Sequence, residues 1–189
     1  MPKALFVCAP GAGGYKDDRS MLRLAAALAP QGFEVVRFDF PYRAKGSARI
    51  DPMAVLKDAF RRVVASLQKP RRLIIGGRSM GGRVASMLAA EGFACDGLLL
   101  AAYPLHPAGQ PEKLRDAHLA ELRCPVLCLN GTRDPLCRRE LMEAALGKVR
   151  APWQMHWLEG ADHSLKGEKL MNEMAAAVAG WLSGLIIVR

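Results

Sequence analysis

Arg71-Arg-Leu-Ile-Ile-Gly-Gly-Arg-Ser-Met-Gly-Gly-Arg-Val-Ala-Ser-Met-Leu-Ala-Ala90 is the stretch that decides the fold. Leu73, Ile74 and Ile75 form a short apolar run suited to a buried strand. Gly76 and Gly77 follow at once, and an Ala-rich amphipathic segment from about Arg83 to Ala90 reads as a helix. Between them Gly77-Arg78-Ser79-Met80-Gly81 is G-x-S-x-G, the pattern of a serine on a sharp strand-to-helix turn. On such a turn the backbone is strained and the hydroxyl stands clear of the sheet. Residues two before and two after the serine come close together, so a Cβ at either place is expected to clash, which glycine avoids. The same turn aims the Met80 amide, at the helix N-terminus, toward negative charge developing at Ser79.

Outward from this stretch the chain alternates. Ala4–Cys8 is a continuous apolar strand, and Pro10-Gly-Ala-Gly-Gly14 is a turn of small residues. Asp17–Ala29 carries apolar residues at helical spacing and ends in Pro30-Gln-Gly32. Glu34–Phe38 is a second strand with the exit loop Asp39–Arg43, and Arg43–Asp51 is polar and loop-like. Met53–Gln68 is a second helix. After the serine turn come strands at Gly97–Ala101, Pro125–Leu129 and Trp153–Trp157, with helices expected at Glu112–Leu122, Leu136–Val149 and Lys169–Leu182. Strand and helix alternate almost throughout, with apolar strands, which predicts a mostly parallel six-stranded sheet covered on both faces, a three-layer α/β/α sandwich. No repeat, linker or low-complexity segment divides the chain, so residues 1–189 are read as one domain. In such a sheet ligands bind beyond the carboxyl ends of the strands. The glycine turn, the serine turn, Tyr103–Pro107, Arg133–Pro135 and Asp162–His163 all follow strands and are expected to share one rim.

Serine is a weak nucleophile; it needs a base, and the base needs an orienting acid. His163, in Gly160-Ala-Asp-His-Ser164 after the sixth strand, is the expected base, with His106 as the alternative. His156 falls within a strand and His118 on a helix. Asp134, leaving the fifth strand in Gly131-Thr-Arg-Asp-Pro135, is the expected acid, with Asp162 as the alternative. The Ala12 amide in the first glycine turn is expected to join Met80 in stabilising an oxyanion. Tyr15, Tyr42, Arg43, Arg78, Tyr103, His106 and Leu136 are expected walls of the site, and Cys137, three residues past Asp134, is expected to report on it. Arg43 and Arg78 either favour an anionic substrate group or form surface salt bridges.

These motifs together give the chain a family likeness. Pro10–Gly14, Phe38–Arg43, Gly76–Gly82, Tyr103–Pro107, Gly131–Pro135 and Gly160–Ser164 resemble those of a small, uncapped α/β-hydrolase of the dienelactone-hydrolase-like kind. Within that superfamily the chain is similar to a bacterial group related to the testis-expressed hydrolase-like proteins. The resemblance implies a catalytic triad of Ser79, Asp134 and His163 in the Ser…Asp…His order of that superfamily. It does not give a substrate; the expected reaction is cleavage of a small ester or thioester, with no metal and no cofactor. Pro10 stands where a histidine often precedes the oxyanion glycines. The chain also begins at what resembles the third strand of the larger fold. A catalytically silent hydrolase fold used for binding or scaffolding is the competing reading.

The remaining features narrow the function classes. The 189 residues are 51% hydrophobic and 24% charged with formal net charge +9, but no block of like charge occurs, so the excess reads as a solvated basic surface rather than a specific nucleic-acid site. Gly11 and Gly13 follow the first strand, yet Lys16 occupies the third glycine position of G-x-G-x-x-G, and no Gly-Lys-Ser/Thr occurs. Dinucleotide binding is therefore not expected. The five cysteines lack framework spacing, and with no secretory leader this predicts a reducing, cytoplasmic setting with no native disulfide. Cys124 and Cys128 read as buried in an apolar strand rather than as metal ligands. Met174–Val188 is apolar but shorter than the roughly twenty residues of a membrane span, and reads as a buried last helix. Oligomeric state is not legible here.

Overall fold

The short apolar runs of the sequence become strands because their alternate side chains bury on opposite faces of one sheet. In the computed structural model, which describes residues 3–68 and 70–187, the strands are β1 (Ala4–Ala9), β2 (Phe33–Arg37), β3 (Leu73–Arg78), β4 (Gly97–Ala101), β5 (Val126–Gly131) and β6 (Trp153–Leu158). All neighbouring pairs are parallel, in the order β2-β1-β3-β4-β5-β6. On β1, Leu5, Val7 and Ala9 join one buried cluster, and Ala4, Phe6 and Cys8 join the other. A run that is apolar at every position is what a sheet covered on both sides requires.

The helices α1 (Arg19–Leu28), α2 (Pro41–Ala44), α3 (Met53–Ala65), α4 (Met80–Ala90), α5 (Arg139–Leu146) and α6 (Glu168–Ile187) supply the outer layers. Leu56 and Phe60 of α3, Val84 and Leu88 of α4, and Met142 and Leu146 of α5 cover the first face. Met21, Leu24 and Leu28 of α1 and Met174, Val178, Trp181 and Leu182 of α6 cover the second. The result is the expected α/β/α sandwich, with the sheet wholly parallel.

The differences from the sequence reading have local causes. α4 starts at Met80, not Arg83, because the turn at Ser79 passes straight into it. The expected exit loop Asp39–Arg43 instead turns into the short α2, which runs on to Ala44 and for which Pro41 at the first helical position presets the backbone. The expected helix Glu112–Leu122 is reduced to a single 3₁₀ turn, Ala117–Glu121. Only Leu119 and Leu122 bury there as apolar anchors, too few for a sustained apolar face. α5 begins at Arg139 rather than Leu136, since the Leu136 and Cys137 amides are turned back onto Asp134. α6 runs on through Gly180, Ser183 and Gly184, where Ser183 Oγ donates to the Ala179 carbonyl. Val188, the expected end of the apolar tail, lies outside the described residues. Among those described, no helix is long and apolar enough to cross a membrane.

Candidate active site

The glycine turn, the β3–α4 turn and the loops after β4, β5 and β6 lie at the carboxyl ends of the parallel strands. At the centre, Ser79 has φ 52° and ψ −119°, a conformation that L-residues rarely adopt. The flanking glycines make it attainable. A Cβ on Gly77 would lie 2.2 Å from the Ala9 carbonyl oxygen, and one on Gly81 would lie 2.3 Å from the same oxygen. The obstacle at both positions is thus the end of β1, rather than the mutual approach of the two residues expected from the sequence. This packing wedges the turn against the neighbouring strand, and the Ser79 amide bonds the Ala101 carbonyl on the other side at 2.8 Å.

His163 Nε2 lies 2.9 Å from Ser79 Oγ, and His163 Nδ1 lies 2.8 Å from Asp134 Oδ2. The carboxylate assigns the tautomer: Nδ1–H donates to Asp134, which leaves Nε2 to accept from the serine hydroxyl. Asp134 is buried, with its Oδ1 accepting from the Leu136 amide at 2.8 Å and its Oδ2 from Asn130 Nδ2 at 3.3 Å. The loops that carry Asp134 and His163 press together: the Arg133 amide donates to the Ala161 carbonyl, and a Cβ on Gly131 would strike that oxygen at 2.1 Å. The arrangement gives an imidazole a direct path to a hydroxyl proton, with a buried carboxylate facing the positive charge that would result. Asp162 is exposed and turned away, its carboxylate accepting from the Ser164 amide and hydroxyl. Those two bonds hold its pKa below the usual carboxylate range.

The first turn backs onto the serine. A Cβ on Gly11 would be 3.4 Å from Ser79 Cβ and 4.0 Å from Oγ. The carbonyls of this turn are occupied: Tyr42 donates to that of Ala12 at 2.6 Å, and Arg43 to those of Gly13 and Gly14. Tyr42 and Arg43 therefore brace the glycine turn. Arg43 also lies over the Tyr15 ring at 3.9 Å. Arg78 reaches across to donate to the His163 carbonyl at 2.8 Å, tying the residue before the serine to the histidine loop. Burial lowers its pKa, against the carboxylates of Asp134, Asp18 and Asp162.

Other expected site residues sit elsewhere. Tyr103 is fully buried, with its hydroxyl near Ser86 and His118, so it is no wall of an open site. His106 is 2% exposed, and both ring nitrogens are committed to backbone: Nδ1–H donates to the Pro107 carbonyl and Nε2 accepts from the Arg138 amide. Neither nitrogen is free to serve Ser79, and the ring fastens the β4 exit to the start of α5. Cys137 is 2% exposed and packs on the core, where burial first and the Asp134 carboxylate second raise its thiol pKa, and it borders a surface recess that Asp134 and His106 also line. Sequence reasoning missed Asn130, whose side chain bonds both Asp134 and the Tyr103 backbone. Its only signal was a carboxamide at the end of an otherwise apolar strand.

The family of alpha/beta hydrolase domains matches residues 2–180, and the chain belongs to that family. Solved structures bear the same fold. Est1E from Butyrivibrio proteoclasticus, solved with ferulic acid bound, is 16% identical, superposes with a TM-score of 0.80, and is matched over 99% of this chain and 90% of its own. The esterase domain of a Rhodothermus marinus protein is 20% identical at a TM-score of 0.73, over 96% of this chain and 87% of its own. Dienelactone hydrolase from Anabaena variabilis is 18% identical at 0.74, over 97% and 87%. At these identities the likeness is one of fold. The described residues include no cap domain over the rim.

Proposed function

We propose that this protein is a serine hydrolase that cleaves a small ester or thioester through an acyl-enzyme. Ser79 is the nucleophile, His163 the general base and acid, and Asp134 the carboxylate that orients the imidazole. The observation that carries this reading is the unbroken chain Ser79 Oγ–His163 Nε2, His163 Nδ1–Asp134 Oδ2 at 2.9 and 2.8 Å. Its three members come from the ends of β3, β6 and β5, which chance packing of polar side chains rarely produces.

In acylation Oγ attacks the substrate carbonyl as Nε2 takes the hydroxyl proton. The tetrahedral intermediate collapses as Nε2 returns that proton to the leaving alcohol or thiol. Water then repeats the sequence on the acyl-serine and releases the acid. The developing oxyanion is assigned to the amides of Met80 and Ala12. Met80 opens α4, so its amide has no acceptor within the helix. Ala12 follows Gly11, which packs on Ser79, and its own carbonyl is held away by Tyr42. One such donor is worth about 3 kcal/mol of barrier. The uncovered rim suits a small substrate or one presented by its ester end. The esterases and the dienelactone hydrolase among the structural neighbours are in keeping with this substrate class.

The test is labelling with a fluorophosphonate, followed by peptide mass mapping, beside a panel of p-nitrophenyl esters of increasing acyl length. The adduct is expected on Ser79 and nowhere else, with turnover falling by about 10⁴-fold or more in folded Ser79→Ala. A folded wild-type chain that takes no label and turns over no ester would leave a hydrolase fold used for binding alone.

A further inference from the structure

At the end of the sheet opposite the rim, two cysteines meet. Cys95 lies in the link from α4 to β4, and Cys124 in the link from the 3₁₀ turn to β5. Their sulfurs are 3.5 Å apart, with the Cys95 S–H donating to Cys124 Sγ. Both carry free thiols. Both also line two adjoining surface recesses of about 340 and 270 Å³, shared with Arg123. Cys95 is half-buried and Cys124 is 9% exposed. The other three cysteines are unlike them. Cys8, Cys128 and Cys137 are each no more than 2% exposed and pack in the core.

We propose that Cys95 and Cys124 are a reactive dithiol that a low-molecular-weight disulfide converts to an intramolecular disulfide, clasping the β4 and β5 links together. The shared proton sets the order of events. Donation from Cys95 holds the Cys124 thiol below its ordinary pKa and raises that of Cys95. The charged neighbours around the recesses are Arg72, Asp96, Glu121 and Arg123. The Cys124 thiolate attacks one sulfur of the small disulfide RSSR and expels RS⁻, which takes up the Cys124 proton. The Cys95 sulfur, losing its proton, then attacks Cys124 Sγ of the mixed disulfide and expels the second RS⁻ as RSH. Two protein S–H bonds and one S–S bond are lost; one protein S–S bond and two RSH are formed. The protein is oxidised and RSSR is reduced. Sulfurs already in contact need to close only to bonding distance, about 2.05 Å, with a small shift of two surface links.

The experiment uses the full chain, reduced and folded, incubated with excess oxidised glutathione and then mapped by peptide mass spectrometry under non-reducing conditions. The expected product is a Cys95–Cys124 linked peptide pair, with the chain lighter by two hydrogens and Cys8, Cys128 and Cys137 still reduced. Closing this loop should raise Tm by roughly 5–10 °C, reversed by dithiothreitol. Cys95→Ser should instead stop at a stable glutathione adduct on Cys124, with no rise in Tm. Three results would overturn the proposal: wild-type thiols that stay unmodified, a wild-type adduct that persists without the link, or a link through any other cysteine. The mapping of the wild-type chain decides the matter even if the serine variant does not fold.

Discussion

Asp134 accepts hydrogen bonds from His163 Nδ1, Asn130 Nδ2 and the Leu136 amide, and none of its side chain is exposed. Asp134→Asn replaces an acceptor facing three donors with a group that must point N–H₂ at one of them. In a working triad this favours the wrong imidazole tautomer, so kcat/KM is expected to fall by up to about 10⁴-fold while the circular dichroism spectrum is unchanged. Turnover within tenfold of wild type would show that the carboxylate does not orient the base. Ser79 makes a different demand. Its φ of 52° with ψ of −119° is glycine's territory, so Ser79→Gly is expected to be more stable than Ser79→Ala by about 1–2 kcal/mol in urea unfolding. In an ordinary helical position that sign is reversed. The meeting of Ser79, Asp134 and His163 was legible in the sequence because each follows a strand, and in a parallel sheet every strand points its end at the same rim. The fates of Tyr42, Tyr103, His106 and Cys137 were not. Spacing along a loop says which rim a residue reaches, but not whether its side chain turns outward or back into the core.

At the scale of elements, the β3–α4 unit depends on close backbone contact. A Cβ on Gly81 meets the Ala9 carbonyl oxygen at 2.3 Å, and neither backbone can retreat without breaking the β1–β3 ladder. Gly81→Ala is expected to cost at least about 2–3 kcal/mol or to prevent soluble accumulation. Gly184→Ala is the counterpart. It lies within α6 with nothing inside 4 Å of the added methyl, and should stabilise by up to about 1 kcal/mol. Chemical denaturation of the pair checks both signs. Strands were the most legible elements, since each apolar run must be buried somewhere and a short run between turns has few alternatives. The segment Glu112–Leu122 misled because its charges and alanines suit a helix, whereas its one 3₁₀ turn is fixed by tertiary contact. His118 Nε2 lies 2.8 Å from Ser86 Oγ on α4 and 3.2 Å from the Tyr103 hydroxyl. No local pattern encodes a partner thirty-two residues away.

That contact also shapes the stability of the whole molecule. Burial first, and the Arg83 guanidinium second, lower the His118 pKa from 6.5 to about 4. Between those values the unfolded chain binds a proton that the folded chain refuses. Stability should therefore fall as pH drops from about 6.5 toward 4, while above 6.5 this group contributes no slope. His118→Gln keeps an uncharged polar side chain there without the titration, so its unfolding free energy should depend less steeply on pH in that window. Equal slopes in urea titrations at several pH values would assign the acid sensitivity to other groups. The order β2-β1-β3-β4-β5-β6 also bears on how the molecule comes into being. Once β3 has docked on β1, each later strand adds beside the one made just before it, so the sheet grows along one edge as the chain leaves the ribosome. Ser79 takes its place with β3, whereas Asp134 and His163 arrive with the two strands added last. A chain that ends before residue 163 thus holds most of its sheet and Ser79 with no His163 beside it, so on the proposed mechanism the serine lacks its base until the sixth strand and its exit loop are in place.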